Sequence, residues 1–182
     1  VALLQDNGVG TTVVLPYIDR LRRFAAWHGQ LWAESLGKGG NGTQPVDALG
    51  TVDQHSQLQL WLDGPADKLF TVLTAPHAGS GDVVDAGMAT EIGADYLGGR
   101  PMGDLMAAEQ QATIDTLIAN RRPTRVMALQ AVDAATLGAL MMHFMLETML
   151  AAQLFGVDAF DQPAVEQGKV LARQYLRESA PG

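Results

Sequence analysis

The sequence predicts an α/β layer structure in which a mostly parallel sheet is packed against helices, and three observations carry that prediction. Short apolar runs at 11–15, 69–73 and 124–129, rich in Val, Leu and Thr, read as strands buried in a parallel sheet. Each is followed, directly or after a loop, by a longer stretch with helical periodicity. The strands therefore alternate with helices, which implies right-handed crossovers and a ligand site at the carboxyl ends of the strands.

Taken in order, the first eight residues read as the last two turns of a helix closed by Asn7-Gly8 in a left-handed cap, without a start of its own. With a first residue other than Met, that reads as a piece of something longer. Thr11–Leu15 is the first strand, ended by Pro16. Asp19 to Leu36 is an amphipathic helix: Leu21, Phe24, Ala25, Leu31 and Trp32 recur at helical spacing opposite Arg20, Arg22 and Arg23, and Gly37 stops it. Residues 37 to 45 are loop by composition. Thr51-Val-Asp-Gln54 has the spacing of a capping box opening a helix to about Leu62. Leu69–Leu73 is the second strand. Residues 76 to 103, rich in glycine and aspartate, read as irregular with a short helix near 84–92. Asp104–Asn120 is a helix, Thr124–Leu129 the third strand, Ala134–Phe155 a long helix and Pro163–Arg177 a final one.

Composition narrows the function. Of 182 residues 47% are hydrophobic, enough for a real core, and 12 Lys+Arg against 20 Asp+Glu give a net charge of -8. An acidic chain lacks the basic footprint that nucleic acid or an anionic membrane requires. The absence of cysteine removes disulfides and thiolate chemistry and fits a cytoplasmic protein. His143 and Glu147 interrupt the most apolar stretch, Leu137–Phe155, which therefore reads as a buried helix and not a membrane span. On it Met141, Met142, Met145 and Met149 read as core filling and His143 as a hydrogen-bonded core histidine. Trp27 is the tryptophan expected to be partly exposed.

Familiar motifs fail on inspection. Gly37-Lys38 lacks the following Ser or Thr of a phosphate loop and reads as a turn, and Gly8-Val9-Gly10 precedes a strand instead of following one. Gly79-Ser80-Gly81 lacks nucleophile-elbow spacing. His28, His55, His77 and His143 are too scattered for a metal site. Three titratable groups nevertheless sit where a charge is costly or useful. Glu34 falls in the last turn of its helix, where the macrodipole disfavours a negative charge by about 0.3–1 kcal/mol and makes the carboxylate a readier proton acceptor. The plainer reading is a solvated glutamate. His55 falls in a first helical turn, which favours a neutral imidazole, against the plainer reading of a surface or capping histidine. Lys169 sits two turns into the final helix with Glu166 one turn back, and its plainer reading is an exposed ion pair.

Three motifs change that balance: Ala33-Glu34-Ser35-Leu36-Gly37-Lys38, Gly50-Thr-Val-Asp-Gln54-His55-Ser56-Gln57, and Phe160-Asp161-Gln162-Pro163-Ala164-Val165-Glu166-Gln167-Gly168-Lys169. In that order, with Tyr96-Leu-Gly-Gly99 and Ala108-Glu-Gln-Gln111 between them, they resemble the carboxyl-terminal part of the glucose-6-phosphate isomerase family, particularly its bacterial members. The resemblance implies a sugar isomerase (SIS)-type three-layer sandwich over residues 1–160, the second of two such domains, and a terminal helix over 161–182 that carries an active-site lysine. It implies that Glu34 is the base moving a proton between C1 and C2 through an enediol(ate), and that His55 opens the sugar ring in the neighbouring subunit's site. Lys169 assists ring opening, and Gln162 contacts the substrate. It further implies a homodimer, an amino-terminal SIS domain as partner, a sugar-phosphate substrate, and neither metal nor cofactor. The chemistry is coherent, because an aldose–ketose shift needs a carboxylate over two adjacent carbons, a second acid/base at the ring oxygen, and positive charge beside the enediolate. Two departures stand out. The family usually has Gly where this chain has Ala164, and its phosphate-binding Ser/Thr loop and catalytic arginine lie in the first domain. A chain without that loop is expected to be nearly inactive alone; the competing expectation is a non-catalytic SIS-type module for sugar-phosphate binding or dimerisation.

Overall fold

The structure is a computed structural model that describes residues 2–179; Val1 of the opening helical stretch and the last three residues of the 161–182 segment lie outside the described residues. Four strands, β1 (Thr11–Pro16), β2 (Gln44–Asp47), β3 (Lys68–Thr74) and β4 (Thr124–Ala128), form one parallel sheet in the order β2-β1-β3-β4. The helices are α1 (Ala2–Gln5), α2 (Arg22–Leu36), α3 (Val52–Asp63), α4 (Ala86–Glu91), α5 (Met102–Ala119), α6 (Ala134–Phe155) and α7 (Glu166–Glu178).

Alternation along the central strands sorts their side chains into two layers. Val13, Leu15, Phe70 and Val72 face Trp61 of α3 and Ile114 and Leu117 of α5. Val14 and Leu73 face Phe24 and Ala25 of α2 and Leu140 and Phe144 of α6. The result is the three-layer SIS-type sandwich. A smaller cluster of Trp32, Leu36, Ala151 and Ala152 continues the second layer, with Phe155, Val157 and Ala159 packed against it. This last cluster anchors the chain leaving α6.

Several expectations need correction. Gln44 and Pro45, the end of the stretch read as loop, open edge strand β2 on β1; Pro45 hid it, and an edge strand tolerates proline because one side of its backbone needs no donor. Thr51 makes no capping hydrogen bond. Its backbone is held at φ 63 and ψ -52, and Asp53 instead accepts from Leu49 N–H at 2.7 Å. Helix α6 is not a buried helix. It buries Leu140, Phe144, Thr148, Ala151 and Ala152 on one face, whereas Met142, Met145, Leu146, Met149, Leu150 and Leu154 are exposed. By length and composition it could cross a membrane, yet the buried face packs on α2 and the sheet. Of the four methionines only Met141 packs against the core. His143 is half exposed, 3.6 Å from Glu147, and not a core histidine. The buried histidine is His28, 2% exposed, edge-on to Phe144 and beside Trp32.

The opening helix does close as expected. Gly8 at φ 90 turns the chain, while Gly8 N–H donates to Gln5 and Val9 N–H to Leu4, the two bonds of a Schellman cap. Trp27 is half-buried, and Trp32 and Trp61 are buried.

Candidate active site

Crossover helices run antiparallel to the strands they connect, so the end of α2 returns Glu34 to the amino edge of the sheet, where β2 begins. The same geometry brings the end of α6 to that edge. The chain after it, 156–165, then lies across the end of α2. A cleft of about 230 Å³ forms between them, lined by Ala33, Glu34, Gly37, Lys38, Gln162, Pro163, Ala164 and Val165. Gln162 Nε2 donates to Glu34 Oε2 at 2.9 Å across 128 positions, and Gln30 Nε2 holds the other carboxylate oxygen at 3.0 Å. The carboxylate is exposed to solvent and fixed at both oxygens. The cleft thus sits at the opposite edge from the carboxyl ends that the α/β pattern led one to expect.

Of the four residues singled out by sequence, two meet in this cleft. Lys169 does not line it. It stands on α7, which buries no residue, and its ammonium is 2.6 Å from Glu166 Oε1 in an exposed pair. His55 does not approach it either. Helix α3 starts after the carboxyl end of β2, where Gly50 N–H bonds Pro16 O at 2.7 Å, so His55 and Glu34 lie at opposite edges, separated by roughly the 22 Å length of a 15-residue helix. His55 is exposed, at the first turn of α3, its backbone N–H bonded to Thr51 O.

The carboxyl edge around His55 is tightly built. Tyr17 hydroxyl bonds Gln54 Oε1 at 2.5 Å and Thr113 Oγ1 at 2.7 Å, and its carbonyl faces His77 Nε2 at 2.7 Å. Burial pushes the Tyr17 phenol above its ordinary range against the opposing bond from Thr113. Burial pulls the Asp53 carboxyl up, but bonds from Gln57, Leu49 N–H and Ser56 outweigh it and hold it below the usual carboxylate range. Ala164 lies in a 3-10 turn over Pro163–Val165 and does not adopt positive φ, so its side chain costs the turn nothing.

Sequence reasoning passed over Lys38 as part of a turn. Its ammonium donates to Ser35 O at 3.2 Å and to Asp158 O, and pairs with Asp161 Oδ1 at 3.0 Å. The signal available was a lysine just beyond a helix end, where a cation meets unpaired carbonyls. Among the described residues no three His, Asp or Glu side chains gather to hold a metal ion.

Fold and cleft together define a three-layer α/β domain with a carboxylate presented at the end of a crossover helix. The family model described as phosphoglucose isomerase matches residues 4–182, and the chain belongs to that family. It is 46% identical over 178 residues to the probable glucose-6-phosphate isomerase of Halobacterium salinarum, covering 98% of this chain and 41% of the relative. Against the glucose-6-phosphate isomerase of Rubrobacter xylanophilus it is 42% identical, over 97% of this chain and 40% of the relative. The chain therefore spans about two fifths of the length of these relatives. A hypothetical protein from Thermus thermophilus superposes with a TM-score of 0.87 at 36% identity, over 96% of this chain and 44% of that one. A glucose-6-phosphate isomerase from Chlamydia trachomatis shares the fold, with a TM-score of 0.73 at 22% identity over 96% of this chain and 36% of that one.

Proposed function

We propose that this chain is the carboxyl-terminal SIS domain of a cytoplasmic glucose-6-phosphate isomerase, interconverting glucose 6-phosphate and fructose 6-phosphate. The observation that carries the reading is the Gln162–Glu34 contact, which puts two residues of separate family motifs into one cleft. In this reading Glu34 takes the proton from C2 and returns it to C1 on the same face. Gln162 holds both the carboxylate and the substrate, and Lys169, on its unburied arm, assists ring opening. No metal or cofactor takes part.

His55 serves the site of a second copy. A group at the far edge of the sheet cannot reach Glu34 of its own chain, so a homodimer supplies the ring-opening acid. The amino-terminal SIS domain supplies the phosphate loop and packs on the exposed apolar face of α6, an area that water would otherwise wet unfavourably. A coupled isomerase assay tests the proposal, run on the 182-residue chain with and without a separately produced amino-terminal half. Turnover near background alone and restored on mixing is the expected result. Sugar-phosphate binding without turnover under every complementation overturns it in favour of a non-catalytic module.

A further inference from the structure

We propose that Lys38 is a positioning residue, whose ammonium clamps the 158–162 segment to the end of α2 and so seats Gln162 on Glu34. The kinetic part of this proposal rests on the isomerase reading; the clamp itself rests on geometry alone.

An ammonium has three donors and no acceptor, and here each donor has a taker on one side or the other of the cleft. Ser35 O belongs to the last turn of α2, beside Glu34, and is one of the carbonyls a helix leaves unpaired at its end. Asp158 O and Asp161 Oδ1 belong to the segment that carries Gln162. The Lys38 side chain is only 13% exposed although its partner Asp161 is 53% exposed, whereas in the Lys169–Glu166 pair both side chains are more than half exposed. The turn is shaped for this. Gly39 and Gly40 both have positive φ, which lets the chain fold back after Lys38 toward β2 while the ammonium stays over the helix end.

Little else holds the segment. Val157 and Ala159 pack against the Trp32 cluster, but Phe160 and every described residue beyond it are exposed, and α7 buries nothing. The last restraints before the arm are thus the Lys38–Asp161 pair and the Gln162–Glu34 bond. Losing the first leaves a single exposed hydrogen bond to place Gln162, and with it the start of the helix that bears Lys169. Misplacement by about an ångström is enough to cost up to 100-fold in rate.

The test uses the full-length enzyme that contains this chain, with Lys38→Met on one side of the clamp and Asp161→Asn on the other. Asp161→Asn leaves α2 untouched and covers the case in which Lys38→Met fails to fold. Each variant is expected to speed amide exchange across 158–162 about tenfold and to lower kcat roughly 10- to 100-fold. KM is expected to stay within about threefold and exchange in the β1 and β3 core to remain unchanged, a split that general destabilisation does not produce. Unchanged exchange at 158–162 in both variants overturns the clamp. Faster exchange with unchanged kcat overturns its role in catalysis. If the unmodified enzyme shows no isomerase activity, it is the functional reading that fails, and the exchange rates still decide the clamp.

Discussion

The two edges of the sheet are built on different principles. At the amino edge, Glu34, Gln162 and Lys38 meet through long-range side-chain bonds between α2 and the chain leaving α6, over a cleft that is open and exposed. At the carboxyl edge, the residues around His55 are locked from beneath. Gly50 is pressed on Tyr17, Tyr17 hydroxyl is shared by Gln54 and Thr113, and Thr51 sits in an unfavourable backbone region. One edge holds its group by an adjustable clamp and the other by a rigid frame. In the proposed dimer this is what each task asks for: the arm beside Glu34 must admit substrate, whereas His55 must be presented as a fixed projection to another subunit.

The largest expected effect is at the amino edge. Glu34→Gln removes the proton acceptor but keeps the shape of the side chain and one of its two acceptor oxygens, so in the completed enzyme kcat should fall about 1000-fold or more with little change in KM. The coupled isomerase assay measures it, and retention of more than a tenth of the activity contradicts the role given to Glu34.

The next prediction sets the edges against each other. Glu34→Gln and His55→Ala enzymes should each be inactive, yet after dissociation and mixing, random reassortment makes half the dimers mixed. Each of these carries one site with both groups intact, so activity should return to about a quarter of the unmodified level. No recovery on verified subunit exchange means that both groups serve one chain, and the comparison between edges then loses its functional meaning.

How much of this the sequence disclosed follows the same divide. Strands β1 and β3 and helices α2, α5 and α6 were legible within a few residues, because burial on both faces and a 3.6-residue period leave strong signatures. Edge strand β2 was not, since four residues with Pro45 among them bury too little to show a pattern. Glu34 was legible as a charge at a helix end, but not its contact with Gln162, which depends on how the chain leaves α6. Lys38 looked like a turn residue because its three acceptors are supplied by the fold. His143 was read as a core histidine, and His28 was not singled out, for the same reason. An apolar helix implies cover on every face, and α6 has cover on one, so the histidine pointing outward from α6 is solvated while the one on α2 is enclosed.

That enclosed histidine gives the third prediction. Burial lowers the His28 pKa from 6.5 to about 4, with nearby Arg125 adding to the effect and Glu147 opposing it. The unfolded chain therefore takes up a proton that the folded chain refuses between these values. Stability contributed by neutral His28 is present above pH 6.5 and is lost as pH falls through the window, by about 3 kcal/mol at full extent. Urea midpoints at pH 7 and pH 4.5 should differ accordingly. His28→Phe, which keeps a ring between Trp32 and Phe144 but cannot titrate, should remove most of that difference; an unchanged pH dependence assigns it to other groups.

The smallest effect concerns the rigid frame. A residue with a Cβ pays about 1–3 kcal/mol for a backbone such as that of Thr51, while glycine adopts positive φ freely but loses about 0.5–1 kcal/mol more chain entropy on folding. Thr51→Gly should therefore raise stability by about 1 kcal/mol, read from the urea midpoint. No compensating loss of a cap is expected, because the Thr51 side chain makes none. The same change frees the residue whose carbonyl receives the His55 N–H. If the strain serves to present the imidazole, the stabilised variant should be slower in turnover by several-fold, with the loss in kcat exceeding any change in KM. A variant that is both more stable and equally active shows that the strain is a by-product of Gly50 lying against Tyr17, and that the frame around His55 is stiffer than its task requires.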